Sequence, residues 1–407
     1  MKLLHTADWH LGKSLGTISR HSEQIQVLDE ICEIADRENV DAVLIAGDLF
    51  DTFNPPVESV ELFYRSVKRL AKDGNRVVVA IAGNHDSPER IESPDPLARE
   101  CGILFLGYPN TKVQTFSLPS GLSVTKSDDG FVEIHIPGQD VPLRVVATPY
   151  ANERRLRTYL GIENPEEQLR NILEERWKFI CDKYCDDKGV NILIAHVFIT
   201  PQTGEKLKEP DDEKPILDVG GAQAVFPENL PVNFQYVALG HLHRRIPMQK
   251  DTTPVVYSGS PLSYSVNDTE QAKSISIIDV NPGEPANCRK VDLVTGKRVH
   301  RKTFSSVIDA VRWLEANPNT LVELTIQSQT YLTAEERKGL YSAHDGIVDI
   351  IPLITTADQG KQPFLSPESL NKSVEELFRD YFKHETGQDP NEEIMTLLNE
   401  IMRAEEE

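Results

Sequence analysis

The chain has 407 residues, 39% of them hydrophobic and 26% charged, which is ample for a buried core and suggests two or three domains. A formal net charge of −21 weighs against a generally basic, polyanion-coating surface, although the segment from Ser366 to Glu407 holds an acidic excess of its own. Five cysteines, an odd number with only Cys181 and Cys185 close together, do not make a disulfide framework and fit a reduced compartment.

The opening MKLLHTADWH is too short and too soon charged for a signal peptide, and no run of about 18 apolar residues could span a bilayer. A cytoplasmic chain with no membrane attachment is therefore expected. Lys2 to Thr6 reads as a short strand leading to Asp8. Ser22 to Glu38 is an amphipathic helix, with Ile25, Leu28, Ile31, Cys32 and Ala35 at helical spacing. Ala42 to Ala46 is a continuous apolar run ending in Gly47-Asp48, as for a strand buried on both faces. Val57 to Lys72 reads as a helix, and Arg76 to Ala82 as another buried strand ending in Gly83-Asn84-His85. Strand, helix, strand, helix, strand is the pattern of an α/β sheet. Thr111 to Val146 reads as short strands broken by Gly, Pro and Ser, and Pro165 to Lys183 as a helix. Asn191 to Ala195 and Tyr236 to Leu239 are further buried strands, followed by His196 and by Gly240-His241-Leu242-His243. Val255 to Gly259 is one more. After about Asp268 the texture becomes a small α+β segment, with strands at Ser274 to Val280 and Leu321 to Gln327 and a helix at Ser306 to Ala316. A polar linker from Gln359 to Ser366 precedes two amphipathic helices. One shows Val374, Leu377, Phe378, Tyr381 and Phe382 on one face, and the other Ile394, Leu397, Leu398 and Ile401.

Chemistry concentrates in D-x-H at Asp8/His10, G-D-x-x-D at Gly47 to Asp51, G-N-H-D at Gly83 to Asp86, the lone His196, and G-H-x-H at Gly240 to His243. Each cluster follows an apolar strand, and ligands of such sheets bind beyond the carboxyl ends of the strands. Any one cluster alone could be an ordinary strand-end turn; five in this order point to one site. Mixed imidazole and carboxylate donors suit first-row divalent ions. Two ions about 3.5–4 Å apart can clamp a phosphodiester, with one carboxylate bridging them. Asp48, on a tight glycine turn, is the candidate bridge, and His243 can face the second ion. Asp51 and Asp86 read as supporting or turn residues rather than ligands. His5 reads as a sheet residue, and His21, His135, His300, His344 and His384 as surface residues. Lys13, Arg20, Arg90, Arg154, Arg155 and Arg157 are candidate phosphate contacts by charge alone.

The order of these motifs resembles the calcineurin-like metallophosphoesterase superfamily. Within it LHTADWHLGK, DAVLIAGDLFDT, VVAIAGNHDSPER, HVFIT, YVALGHLHR and VYSGSPLSYS resemble the bacterial SbcD nuclease subunits, relatives of the Mre-type double-strand-break repair nucleases. The likeness covers about the first two-thirds of the chain. It implies an α/β fold: a four-layer metallophosphoesterase β-sandwich flanked by helices over residues 1–267, a small α+β capping domain over 268–358, and C-terminal partner-binding helices over 366–407. By similarity, Asp8, His10, Asp48 and His243 hold one ion, and Asp48, Asn84, His196 and His241 the other. The implied ion is Mn²⁺, and His85 is similar to the family's catalytic histidine. The implied activity is double-strand exonuclease (3′–5′) and single-strand endonuclease cleavage of DNA by a two-metal mechanism, in repair, recombination and replication. The implied partner is an SbcC-type ATPase, with a homodimer of the nuclease inside a heterotetramer. No P-loop pattern occurs in this chain, so ATP use would belong to that partner. The same motif set serves phosphodiesterases of small nucleotides, phosphoprotein phosphatases and nucleotidases. The extra C-terminal segments favour the nuclease over these, and the filled ligand positions argue against a scaffold that has lost its metals.

Overall fold

The computed structural model describes residues 1–158, 165–201, 207, 225–268, 272–328, 331–354, 374–386, 390, 394, 395 and 398. The chain divides into two compact units, residues 1–326 with 333–351 and residues 327–332 with 352–407.

The first unit opens with strand β1 (Lys2–Thr6), helix α1 (His21–Arg37), β2 (Ala42–Ala46), α2 (Val57–Ala71), β3 (Val77–Ile81) and β4 (Ile103–Leu106). The four strands pair in parallel in that order. α2 stops one residue short of the expected Lys72, which takes a left-handed conformation as the chain turns. The second sheet comprises β5 (Phe116–Ser117), β6 (Ser123–Asp128), β7 (Phe131–His135), β8 (Leu143–Thr148), β9 (Val190–Ala195), β10 (Tyr236–Leu239), β11 (Ile246–Lys250) and β12 (Thr253–Tyr257), in spatial order β11-β12-β10-β9-β8-β7-β6-β5. Its centre, β8-β9-β10-β12, is parallel and its flanks are antiparallel. Helix α3 (Pro165–Tyr184) connects β8 to β9.

Period-two alternation explains why the central strands are apolar on both faces. In β2, Ala42, Leu44 and Ala46 point to a core shared with the second sheet, where they join Val145, Ile192, Ile194, Ala238 and Val256. Val43 and Ile45 point the other way, onto Val27, Leu28 and Ile31 of α1 and Leu62 and Val67 of α2. The second sheet turns Val146, Leu193, Val237 and Leu239 onto Leu173, Trp177 and Ile180 of α3. Helices, sheet, sheet and helices thus form the four expected layers.

The expected boundary at residue 267 needs correction. β13 (Ser274–Asp279) pairs antiparallel with β1, and β14 (Asn287–Asp292) with β13, so both complete the first sheet in the order β14-β13-β1-β2-β3-β4. Ser274 to Val280 reads as a generic strand; only pairing across more than 270 residues assigns it to β1. The separate α+β segment begins later, with a sheet of β15 (Arg298–Phe304), β16 (Thr320–Ser328) and β17 (Ile347–Ile354) and helices α4 (Val307–Ala316) and α5 (Ala334–Ala343). Val299 and Leu321 of this sheet pack with Leu15, next to Ile18 and Val348. Leu15 and Ile18 belong to a small hairpin just beyond His10. In the second unit, α6 (Val374–Thr386) forms where the first terminal helix was expected, with Phe378 and Phe382 ring centroids 6.0 Å apart and Tyr381 exposed. The second terminal helix is described only at Ile394, Met395 and Leu398, which are helical; Leu397 and Ile401 lie outside the described residues. Among the described residues no helix is long and apolar enough to cross a membrane.

Trp177 is fully buried between α3 and the second sheet and its indole N–H donates to Thr148 Oγ1 at 2.8 Å. Trp177→Ala should therefore destabilise the protein by about 3–5 kcal/mol, the usual cost of an emptied large core site. A denaturant titration checks this: an unchanged midpoint would show that α3 does not seal this face.

Candidate metal centre

The parallel strands of both sheets deliver their carboxyl ends to one place. Asp8 follows β1, Asp48 follows β2, Asn84 follows β3, His196 follows β9, and His241 and His243 follow β10. The pairing continues past the strand ends: Asp8 N–H donates to Gly47 O and His10 N–H to Asp48 O, both at 3.0 Å. In D-x-H the middle residue, Trp9, is buried in the core beneath α2, so Asp8 and His10 face the other way, into the site. The glycines before the ligands are there for space. A Cβ on Gly83 would lie 2.0 Å from Asp48 Oδ1, and one on Gly240 would lie 1.8 Å from the Ala46 carbonyl oxygen. Loops from two sheets approach this closely only where a side chain is missing. The backbone is also strained here. Asp8, His10, Asp48 and His241 have φ of 54°, 42°, 48° and 103°, four of the nine positive-φ non-glycine residues among the described residues. Such strain concentrates where a fold must hold functional groups.

All seven expected ligands converge. His10 Nε2 lies 2.9 Å from His243 Nε2. His196 Nε2 lies 2.8 Å from Asn84 Oδ1. Asp48 Oδ2 stands between these pairs, 3.6 Å from His10 Nε2 and 3.4 Å from His196 Nε2. Asp8 Oδ1 accepts the backbone N–H of His241 at 2.8 Å, and the His241 ring lies against that of His196, centroids 5.6 Å apart. Donor atoms of Asp8, His10 and Asp48 fall within 4.8 Å of one another.

The donor set fits divalent cations. Five of the seven residues are fully buried, including both carboxylates. Asp8 Oδ2 and Asp48 Oδ2 are buried and accept no hydrogen bond among the described residues. Two buried carboxylates are costly unless cations compensate them. Two imidazole Nε2 atoms facing each other likewise need a proton or a cation between their lone pairs. His196 Nδ1–H donates to the Ala46 carbonyl at 2.9 Å, which turns Nε2 toward Asn84 and Asp48. Without cations the charges compensate one another. Burial, aided by Asp48, pushes Asp8 up to about 7, against the pull of His196 and His243. Burial alone would lower His196, but Asp48 and then Asp8 outweigh it and raise it to about 9. Burial would raise Asp48, but the imidazoles of His196, His10 and His85 hold it well below the usual carboxylate range.

The calcineurin-like phosphoesterase family profile matches residues 1–245. The chain is 35% identical over 415 aligned residues to the SbcD component of the SbcCD nuclease of Bacillus subtilis, covering 100% of this chain and 99% of that protein. The chain belongs to the SbcD family of calcineurin-like phosphoesterases. The SbcD component of the SbcCD nuclease of Rhodobacter capsulatus is 33% identical over 290 residues, covering 70% of this chain and 67% of that one. A dimetal phosphatase from Danio rerio is loosely similar in structure, with TM-score 0.38 and 11% identity over 72% of this chain and 98% of that one. As a family member the chain is a metal-dependent phosphoesterase, and its cofactor is divalent metal.

Further residues pack around the seven side chains of the SbcD-family site, and two of them, Asp51 and His85, form a second group with His10 whose donor atoms fall within 4.8 Å of one another. Asp86 is buried, and its carboxylate accepts Leu49 N–H at 3.0 Å, Phe50 N–H at 2.9 Å and Gly83 N–H at 2.8 Å. It ties the loop after β2 to the loop after β3, the turn role expected of it. Burial, then Asp48, pushes it up to about 6 despite those three donors. Asp51 Oδ1 lies 3.4 Å from His10 Nδ1 and from Lys13 Nζ, and so orients His10. His85 sits beside His10, ring centroids 4.8 Å apart. Its Nδ1–H donates to the Asp51 carbonyl at 2.7 Å and its backbone N–H donates to Asp48 Oδ1 at 2.9 Å. A carbonyl only accepts, so the tautomer is fixed and Nε2 is the nitrogen left to exchange a proton. Tyr264, not anticipated, packs on both His10 and His243 with centroids at 5.7 and 6.2 Å, and its hydroxyl donates to the Trp9 carbonyl. Its place within VYSGSPLSYS was the signal in the sequence.

Two of the candidate phosphate contacts are corrected. Arg20 is fully buried, forks onto both carboxylate oxygens of Glu23 and donates to the Ser263 carbonyl. Arg155 is buried and donates to the carbonyls of Gly83 at 2.8 Å and Asp86 at 2.7 Å, pinning the Asn84–His85 loop. Arg90, Arg154 and Arg157 are exposed and Lys13 is half-buried. His5 is a buried sheet residue as expected, whereas His344 is buried rather than on the surface, its ring held between Asn317 O and Gly346 N–H. His21, His135 and His300 are half-buried, and the His384 side chain lies outside the described residues.

Gly83→Ala should drive the Asn84 loop off Asp48 and lose bound metal while the sheets stay folded, read by metal analysis beside circular dichroism. Full metal content in that variant would contradict the close approach. A second outcome concerns pH. Three raised groups, Asp8, Asp86 and His196, favour the fold below their ordinary values of 3.8, 3.8 and 6.5 and lose that contribution as pH rises through about 7, 6 and 9. In chelator, therefore, stability should fall between about pH 4 and 9 by denaturant titration, and added divalent metal should reverse the trend by displacing those protons.

Proposed function

We propose that this chain is the nuclease subunit of an SbcCD-type complex, hydrolysing DNA phosphodiesters with two divalent ions, most simply Mn²⁺, held by the seven converging side chains. The observation that carries the reading is the placing of Asp48 Oδ2 between His10 and His196, each already paired with a second donor. Asp8, His10, Asp48 and His243 form one group, and Asp48, Asn84, His196 and His241 the other. When bound, the ions would supply Lewis acidity and a hydroxide nucleophile near neutral pH. His85 would protonate the leaving 3′ oxygen through Nε2, since its Nδ1–H is committed to Asp51. Lengthwise identity to proteins named as components of the SbcCD nuclease supports DNA as substrate and an SbcC-type ATPase as partner.

The segment beginning at β15 fits a capping domain, packed on the hairpin that follows His10. The terminal helices fit a partner-binding element, with Leu377, Phe378 and Phe382 as the apolar contacts of a helix laid in a groove. Double-strand exonuclease (3′–5′) and single-strand endonuclease action, a homodimer within a heterotetramer, a role in repair, recombination and replication, and a cytoplasmic setting complete the reading.

End-labelled duplex DNA with Mn²⁺, Mg²⁺ or chelator tests it. Metal-dependent shortening is expected, abolished by Asp48→Asn. His85→Gln should keep its metal yet lose roughly 10²–10⁴-fold in kcat, the range of a lost general acid. Intact DNA alongside cleavage of bis-nitrophenyl phosphate would move the substrate to small nucleotides.

A further inference from the structure

Beside the metal centre lies a cavity of about 330 Å³ whose lining includes His243, Arg244, Arg245, Lys273, Ser274 and Lys290 and, among the described residues, no carboxylate. In a chain of net charge −21 such a lining is unusual. Two of its cations are already balanced: Lys273 Nζ lies 3.3 Å from Asp268 and Lys290 Nζ 2.6 Å from Asp292. Arg244 and Arg245 have no carboxylate partner among the described residues. Two further polar groups, although out of water, lack partners among the described residues. Ser274 is 2% exposed and its hydroxyl makes no hydrogen bond. The Arg245 Nε–H is buried and makes none either. Buried donors left unmade cost about 1–3 kcal/mol each, so a site holding two of them is built for an occupant.

The wall shared with the metal centre is one residue thick. The His243 imidazole faces His10 at 2.9 Å, and the His243 carbonyl accepts Lys273 Nζ at 3.0 Å from the cavity side. Gly259 keeps that wall thin, since a Cβ there would meet Arg245 N at 2.8 Å and His243 O at 2.9 Å. A planar guanidinium fork, an ammonium and a hydroxyl together match the tetrahedral oxygens of a phosphate.

We propose that this cavity is an anion site for a phosphate of the DNA strand away from the scissile bond, holding the strand in register with the metal centre. The proposal rests on the nuclease reading for its occupant but not for its anion chemistry. Arg244 and Arg245 supply charge that no carboxylate balances among the described residues, although Arg245 also donates to Cys288 Sγ at 3.8 Å, and Ser274 supplies a neutral hydrogen bond. The cavity binds and positions; it takes no part in bond cleavage.

The test has two arms. In chelator-treated full-length protein, inorganic phosphate should raise the melting temperature with a saturable dependence, since a ligand of the folded state alone stabilises it. Arg244→Ala and Ser274→Ala should each weaken that binding by roughly tenfold, the scale of one lost charge-assisted contact, and Arg244→Lys should restore part of it. Equal phosphate affinity in wild type and both variants overturns the site, whether or not the protein cleaves DNA. In metal-loaded protein, Arg244→Ala should raise KM for duplex DNA with kcat and metal content unchanged, and lower the salt slope of binding by about 0.9, one phosphate contact. Weakened phosphate binding with an unchanged KM for DNA would assign the cavity to free phosphate or released nucleotide and overturn the strand-phosphate role. Failure of wild type to cut DNA at all would count against the nuclease reading, while the phosphate arm would still decide the site.

Discussion

The Asp48 carboxylate is buried where the strand ends of two sheets meet, and much of the structure can be understood as the means of keeping it there. Its β2 strand is apolar on both faces because it is sandwiched between helices and the second sheet. Its loop is braced by Asp86, which gathers three backbone N–H groups from two loops. Its neighbours in sequence and space are glycines at Gly47 and Gly83, the second of which leaves room for the carboxylate itself. A charge so placed is tolerable only in a field of compensating positive charge. The protein meets that need with imidazoles on both sides, which is also what two divalent ions would require of it.

Rigidity and strain are divided between the layers. The two cores that face helices and the one between the sheets are close-packed and apolar, and they hold the strand ends. The left-handed backbone at Asp8, His10, Asp48 and His241 is concentrated just beyond those ends. The cost of that strain is borne by the sheets, whose parallel pairing runs on into the loops through Asp8 N–H to Gly47 O and His10 N–H to Asp48 O. Arginines that look free in the sequence are part of the same bracing. Arg155 holds the carbonyls of the Asn84–His85 loop, and Arg20 closes the entrance to α1 on Glu23 and Ser263. Both arginines are buried and spend their donors inside the protein.

Much of this was legible in the residues. Continuous apolar runs ending in Asp, Asn or His told both where strands lie and which ends matter, because a strand buried on both faces has no polar position to spare. The convergence of the candidate ligands was readable for the same reason: polar groups directly after such strands gather where the strand ends meet. The tautomer of His85, the orienting contact of Asp51 on His10 and the packing of Tyr264 were not readable, since each depends on a partner far away in the chain.

By itself, then, the sequence determined the alternation of buried strands and helices, the five motifs and, through the order of those motifs, the likeness to the family that implied the four layers. Tertiary structure alone decided where the first sheet ends, since Ser274–Asp279 is an ordinary strand until it pairs with β1. It also decided which basic residues are spent on carbonyls and which, beside His243, have no carboxylate partner among the described residues. Charge is a property of a residue, but burial and partners belong to the fold, and these determine whether a charge braces the protein or is left to meet a ligand.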